Sequence, residues 1–240
     1  MLQRLFIFLL IFLILPDIYL YLRFIVHLTA KRWLRILYWL PAFLLSTGLL
    51  YLVYFSNNAF AERHIQAIGW FSIFFFLFTA PKLLLSLCTI IGVPFHKWLR
   101  WPRTPFICTG LTLAVISIVM IIYGSFIGRT QFDVKEVTYS SPKLPSAFDG
   151  YRIVQLSDIH IGSWQGNASA IQKLVKLVNE QQADLIVFTG DLVNHRAVEL
   201  NDFQDILSGL KAKDGVYSIL GNHDYGPYFR WKSKDEQVSW

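Results

Sequence analysis

Hydrophobic and polar positions alternate along this chain in two different ways, and the change falls near residue 128. Before it, residues 5–26, 34–55, 65–93 and 106–127 are apolar stretches, each at least as long as the roughly 20 residues that a membrane-crossing helix needs. The first is not a cleavable signal peptide, because its apolar run is too long and no small-residue cleavage site follows. After residue 128 the apolar runs shorten. A polar connector, 129–150, holds Pro142, Pro145 and one strand-like piece, 132–139. Residues 152–156, 185–188 and 216–220 then read as three strands, apolar on both faces like strands of a parallel sheet covered by helices. Between them, Ile171, Leu174, Val175 and Val178 fall on one face of a helix over 168–182, with Asn167 or Ser169 placed to cap it. Phe203, Ile206, Leu207 and Leu210 repeat the pattern over 199–210. The predicted order is β-α-β-α-β with right-handed crossovers. The chain therefore divides into an all-α transmembrane bundle of four helices (1–128), a connector with a strand (129–150) and an α/β portion (151–240).

Charge sharpens this division. Residues 1–128 carry ten Lys/Arg and two acids, Asp17 and Glu62, while 129–240 carry twelve Lys/Arg and fourteen acids. The excess of base thus belongs to the apolar half, and the soluble half keeps no basic patch to bind nucleic acid. Lys31, Arg32 and Arg35 lie in the first loop and Lys97, Arg100 and Arg103 in the third, whereas the second has only Glu62 and Arg63. Positive loops prefer the cytoplasm, so the soluble half is expected outside it. Arg4, Arg129 and Lys135 on the other side temper the bias. Trp33, Trp39, Trp98 and Trp101 sit near the span ends, as an aromatic belt would. Cys88 and Cys108 lack metal or disulfide spacing and read as small apolar fillers.

Asp17, Arg23 and the Pro81-Lys82 pair interrupt the spans. A charge at membrane depth costs at least a few kcal/mol. Two readings stand side by side. One is a polar contact inside the bundle, Asp17 with Lys82, or a lipid head-group site; the other shifts the span edges and lets Arg23 and Lys82 snorkel to the interface.

Three short motifs follow the three strands: Asp158-Ile159-His160, Gly190-Asp191-Leu192-Val193-Asn194 and Gly221-Asn222-His223-Asp224. Parallel strands bring such loops to one edge of the sheet, where open α/β sheets bind ligands. The donors suit hard or borderline divalent metals, and two adjacent metals form an effective device for attacking phosphate esters. Asp158 and His160 can face one metal, Asp191 at the central strand can bridge two, and Asn222 offers an amide oxygen to the second. His223 is placed to touch the phosphate or protonate the leaving oxygen, with Asp224 as the group to orient its ring. Gly190 and Gly221 let the backbone turn sharply. Each motif alone is a common accident; all three in this order, about thirty residues apart, are not.

The set resembles the calcineurin-like metallophosphoesterase family, whose signature is D-x-H, G-D-x-x-D/N and G-N-H-D/E, over roughly residues 151–225. The resemblance implies an α/β/β/α sandwich, of which this chain supplies part, and a dinuclear centre of Mn, Fe or Zn. It implies that Asp158 and His160 bind the first metal, Asp191 bridges, Asn222 binds the second and His223 is the catalytic histidine. The membrane anchor makes the chain similar to a membrane-bound bacterial branch of phosphodiesterases and enzymes that cleave UDP-diacylglucosamine in lipid A synthesis.

Two departures stand out. Asn194 is followed by His195, with Arg196 one place later, which disfavours the protein-phosphatase branch; Asn194 and His195 remain candidate substrate contacts, His195 otherwise a solvated loop residue. The family's later single His and G-H-x-H motif have no counterpart after His223, so the chain reads as C-terminally truncated, binding metal weakly and turning over poorly. A bare β-α-β-α-β unit would leave one sheet face and an edge poorly covered. The tail 225–240, with Tyr228, Phe229, Trp231 and Trp240, is either a lipid-facing rim near the site or a surface for that C-terminal part. The Asn167-Ala168-Ser169 glycosylation pattern is better read as a helix start. The expected function is a metal-dependent phosphoesterase in a bacterial inner membrane, its soluble domain extracytoplasmic, cleaving phosphodiesters or phosphomonoesters of lipid-linked or envelope substrates. The rival readings are a catalytically incomplete membrane sensor or scaffold, and a transporter-like bundle with a fused phosphoesterase domain. Oligomeric state is left open.

Overall fold

The computed structural model describes residues 2–54, 64–229 and 231–238. Phe55, Glu62, Arg63 and Trp240 lie outside them, as does the side chain of Arg4. The chain splits into two compact units, Met1–Gln131 and Phe132–Trp240.

The first unit is helical. Helix α1 (Leu2–Leu20) continues through a π-helical segment, Tyr21–Ile25, into a last turn, Val26–Leu28. Helices α2 (Arg32–Tyr54), α3 (Ile65–Leu99) and α4 (Thr104–Phe126) follow. All four are long and apolar enough to cross a membrane. Pro16, Pro41, Pro81 and Pro94 sit inside three of them without ending them, a pattern tolerated where neighbouring helices and hydroxyls re-satisfy the freed carbonyls. Arg35, in the first turn of α2, donates to the Thr29 and Val26 carbonyls, at 2.8 Å each, and so caps the end of the first span. Helices α3 and α4 approach closely through small residues: a Cβ on Gly92 would meet the Phe106 ring at 2.7 Å, and one on Gly110 would meet Leu85 at 2.9 Å. Cys88 is half-buried near Gly110, while Cys108 is exposed, so only the first acts as a filler.

Of the two readings of the intramembrane charges, the ion pair forms. Asp17 is fully buried and its Oδ1 lies 2.7 Å from Lys82 Nζ. The Tyr38 hydroxyl reaches the same Oδ1 at 2.9 Å. One carboxylate thus joins α1, α2 and α3. Lys82 does not snorkel, because its counter-charge lies inside the bundle.

The second unit contains a parallel sheet of three strands, β1 (Ile153–Leu156), β2 (Leu185–Phe188) and β3 (Val216–Ser218), in that order, with β2 central. The amphipathic α5 (Ala168–Glu180) buries Ala170, Ile171, Val175 and Val178. Ile186 and Phe188 of the sheet, with Val154 and Leu156, pack with Val178 and Leu174 of that helix. The opposite face follows by alternation: Ile153 pairs with Leu185, and Gln155, Val187 and Tyr217 lie side by side. Ile153 is 58% and Tyr217 62% exposed, so the sheet is covered on one face rather than on both.

Three sequence expectations change. Residues 132–139 form no strand, since no sheet edge meets them, and Val137 is 90% exposed. The connector therefore has no strand. Asn167 occupies the N-cap of α5 without a capping hydrogen bond; its Oδ1 accepts from Ser169 Oγ at 3.0 Å instead. The second helix, expected over 199–210, shrinks to a 3₁₀ turn, Ala197–Leu200, and a single turn α6 (Gln204–Leu207), although Phe203 still anchors the core at 1% exposure. The cause is Glu199, whose carboxylate holds the preceding loop. A last short helix, α7 (Lys234–Val238), ends the described chain.

Candidate metal centre

The three motifs begin where the strands stop, and the loops after β1 and β2 extend the pairing. Asp158 N donates to Gly190 O at 3.1 Å, His160 N to Asp191 O at 3.0 Å and Ile161 N to Leu192 O at 2.8 Å. These bonds fix the first two motifs against each other. The cost is backbone strain: Asp158, His160 and Asp191 all have positive φ, at 52°, 48° and 55°. Non-glycine residues rarely adopt that region, and such strain tends to collect at functional sites.

The third motif closes on the second. A Cβ on Gly190, whose φ is +104°, would meet the Gly221 backbone at 2.5 Å. Both glycines are needed for this crossing, the sharp turns read from the sequence. Asp191 is buried at 9% exposure, and its Oδ1 accepts from His223 N at 2.7 Å. Asp224 braces the crossing from the other side, accepting from Val193 N at 3.0 Å and from Gly221 N at 2.9 Å.

The result is a cluster. Donor atoms of His160, Asp191 and His223 lie within 4.8 Å of one another. Asp158 is exposed beside them, its Oδ1 3.9 Å from His160 Nε2. Asn222 is exposed as well, with Nδ2 3.1 Å from the Tyr228 hydroxyl. The His223 ring is set by Asn194, not by Asp224: Nδ1 lies 2.7 Å from the Asn194 carbonyl. A carbonyl only accepts, so Nδ1 carries the proton and Nε2 is left free. Asn194's side chain turns away from the cluster to Ser163, accepting from its N at 3.1 Å and donating to its Oγ at 2.8 Å. His195 has a buried Nδ1 with no hydrogen-bond partner among the described residues.

Two contributors were not legible as site residues. Glu199 is buried at 7% exposure and accepts from Asn194 N, His195 N and Arg196 N at 2.7, 2.9 and 3.1 Å. It folds the second motif's loop into a cradle, and a Cβ on Gly162 would collide with it. Its only sequence signal is an acid five places after Asn194. Tyr228 stacks on the His223 ring, with centroids 4.3 Å apart at 29°.

Comparison with known proteins places both units in described families. Residues 3–129 match the family model "Probable Calcineurin-like phosphoesterase, transmembrane domain" and residues 151–239 match "Calcineurin-like phosphoesterase". A zebrafish (Danio rerio) transmembrane protein with metallophosphoesterase domain is 36% identical over 46% of this chain and 25% of its own length. The Bacillus subtilis metallophosphoesterase YkuE is 34% identical over 44% of this chain and 37% of its own. The Chlamydia muridarum UDP-2,3-diacylglucosamine pyrophosphatase LpxG is 30% identical over 51% and 39%. The chain thus spans between a quarter and two fifths of the length of these curated relatives. No solved structure matches it. With both of its units matched, the chain belongs to the calcineurin-like phosphoesterases that carry a transmembrane domain ahead of the phosphoesterase domain.

Proposed function

We propose that this chain is a membrane-anchored, metal-dependent phosphoesterase that hydrolyses phosphodiester or phosphomonoester bonds at a two-ion centre. Residues 1–128 are the anchor, 129–150 the connector and 151–240 the phosphoesterase portion. The observation that carries the reading is the convergence of His160, Asp191 and His223 donors within 4.8 Å at one end of the parallel sheet. The donor set fits: imidazole and carboxylate suit borderline divalent ions such as Mn, Fe and Zn. Neither ring nitrogen of His160 has a hydrogen bond among the described residues, so both remain open to a ligand.

In this reading Asp158 and His160 would hold one ion, Asn222 would hold a second through Oδ1, and Asp191 would be shared between them. When bound, divalent ions would supply Lewis-acid activation of water and of the phosphoryl group. His223 presents Nε2 to the leaving oxygen, because Nδ1 is committed to Asn194, and it hands on a proton that Nε2 has first taken up. Asp191 is kept in one orientation by the His223 N–H on Oδ1. Asp224 keeps the third loop closed on the second. His195 lies next to Asn194, where it can meet a phosphate oxygen.

The proposed substrates are lipid-linked phosphoesters. The four apolar helices and the diacylglucosamine substrate in the Chlamydia relative's name support that class. The positive first and third loops support an extracytoplasmic soluble domain in a bacterial membrane. The test is Mn-dependent hydrolysis by the detergent-solubilised chain, with a chromogenic diester and a lipid-linked phosphate, beside Asp191→Ala. The expected result is metal-dependent turnover that Asp191→Ala removes, with the lipid preferred. A strong preference for the chromogenic diester would remove the lipid substrate. No hydrolysis with any metal, by this chain or by the longest native form of the protein, would leave a sensor or scaffold.

A further inference from the structure

Tyr228 lies outside all three motifs, yet it touches two residues of the centre. Its ring stacks on His223, and its hydroxyl lies 3.1 Å from Asn222 Nδ2. A carboxamide has one donating and one accepting end, and only the oxygen can coordinate a cation. A phenol hydroxyl can accept or donate, so the contact alone would suit either rotation of the amide. Beside a cation one rotation wins: the NH₂ group turns to the phenol and Oδ1 faces the ion. Asn222 Oδ1 itself accepts no hydrogen bond among the described residues.

The stacking acts on the second residue. Three contacts define the His223 ring: Nδ1 meets the Asn194 carbonyl, the His160 ring stands edge-on at 4.6 Å and 87°, and Tyr228 covers one face. The hydrogen bond decides which nitrogen is free. The stack fixes the tilt of the ring about that bond.

Burial does not explain the placement, since Tyr228 is 55% exposed. The chain is folded back to achieve it. Gly226 N donates to His223 O at 3.0 Å, and Gly226 has φ +66°. Trp231 Nε1 then pins Gly226 O at 2.7 Å, and a Cβ on Gly226 would meet the Trp231 ring at 2.9 Å. This turn delivers Tyr228 over His223.

We propose that Tyr228 is a positioning residue of the metal centre, its hydroxyl aiming Asn222 Oδ1 at an ion and its ring holding His223 in place. The inference rests on the two-ion reading above. The experiment is a Mn²⁺ titration of the full 240-residue chain in detergent, followed by calorimetry and by electron paramagnetic resonance. It compares wild type, Tyr228→Phe, Tyr228→Ala and Asp191→Ala. Tyr228→Phe keeps the stack and removes the hydroxyl. It is expected to weaken the weaker Mn²⁺ site about 10- to 100-fold, the usual effect of losing a partner behind a ligand, and to leave the tighter site unchanged. General loosening of the fold would weaken both sites together. Tyr228→Ala is expected to show the same loss and, in addition, a change in the spectrum of the remaining bound Mn²⁺ as His223 is released. Superimposable titrations of Tyr228→Phe and wild type, with binding abolished in Asp191→Ala, would overturn the role of Tyr228 and leave the centre standing. No Mn²⁺ binding by wild type would overturn both.

Discussion

At the scale of single residues, the centre depends on atoms that are absent as much as on those present. Gly190 and Gly221 cross where no side chain fits, and Gly190's φ of +104° lies beyond what an L-residue adopts comfortably. Gly190→Ala therefore combines a steric clash with a strained backbone, each worth about 1–3 kcal/mol. The expected outcome is loss of Mn²⁺ binding together with a clear drop in the unfolding temperature of the soluble unit; retained binding would show that the crossing can open. A second prediction concerns Tyr151, which lies ahead of β1 and outside the three motifs. Its hydroxyl donates to Asp214 Oδ2 at 2.7 Å. That hydrogen bond to a carboxylate is the main reason its pKa is raised from 10.0 to about 12. A folded-state pKa above the unfolded one favours the protonated phenol, so this stabilisation is complete below about pH 10 and fades as the pH rises towards about 12. Tyr151→Phe should reduce stability at neutral pH and flatten its decline through that alkaline window. Unfolding followed across pH, with phenolate absorbance as a second probe, checks this; parallel pH profiles for the two proteins would count against it.

At the scale of elements, how much could be read depended on how far each was determined by its own residues. The four apolar helices, the three strands and α5 carry their signal locally, in apolar runs or in the i, i+3, i+4, i+7 pattern of Ile171, Leu174, Val175 and Val178. The segment after Asn194 does not. Its apolar positions read as a helix from Glu199 to Leu210, yet three backbone N–H groups that precede it are taken by the Glu199 carboxylate, and only Gln204–Leu207 is helical. That contact joins residues within one loop, so no periodicity reports it. The strand-like 132–139 fails for the opposite reason: alternation proposes a strand, but a strand needs an edge to pair with. The same limit applies to the centre. Motif residues were visible by type and spacing, whereas the Asn194 carbonyl that orients His223 depends on a backbone path that spacing does not encode. Glu199 gives the element-level prediction. Glu199→Gln replaces one accepting oxygen with a donor facing N–H groups, and Glu199→Ala leaves three part-buried donors without that acceptor. Each unmet buried group costs about 1–3 kcal/mol. Both variants should lose stability, Ala the more, and both should weaken Mn²⁺ binding because the Asn194 carbonyl moves with its loop. Thermal unfolding and Mn²⁺ titration of the two variants measure this; unchanged Mn²⁺ affinity in a destabilised Glu199→Ala would confine Glu199 to a structural role.

At the scale of the molecule, the membrane unit holds a buried charge pair whose value lies in specificity as much as in strength. Asp17, Tyr38 and Lys82 come from three different helices, and in lipid those helices have no hydrophobic force of their own to choose a register. Apolar side chains can slide past one another with small loss; a buried carboxylate separated from its ammonium cannot. The pair is still incompletely satisfied, since Asp17 Oδ2 has no hydrogen-bond partner among the described residues. Replacing one member and replacing both should therefore differ in cost. Lys82→Met leaves Asp17 buried without a counter-charge, and Asp17→Leu leaves Lys82 in the same position; breaking a buried pair from one side costs about 3–5 kcal/mol. The double variant Asp17→Leu/Lys82→Met removes both desolvation penalties and should recover most of that loss, as apolar replacements of whole buried pairs commonly do. Unfolding in detergent of the two single variants and the double gives the coupling directly. Mn²⁺ binding by the soluble unit serves as the internal control, because none of its proposed ligands lies in the bundle. If the double variant is as unstable as the two singles combined, the pair does not act as a unit, and each residue has a separate partner in the membrane. If it regains stability but loses a single sharp unfolding transition, the pair's contribution is to select one arrangement of the helices from several of similar energy.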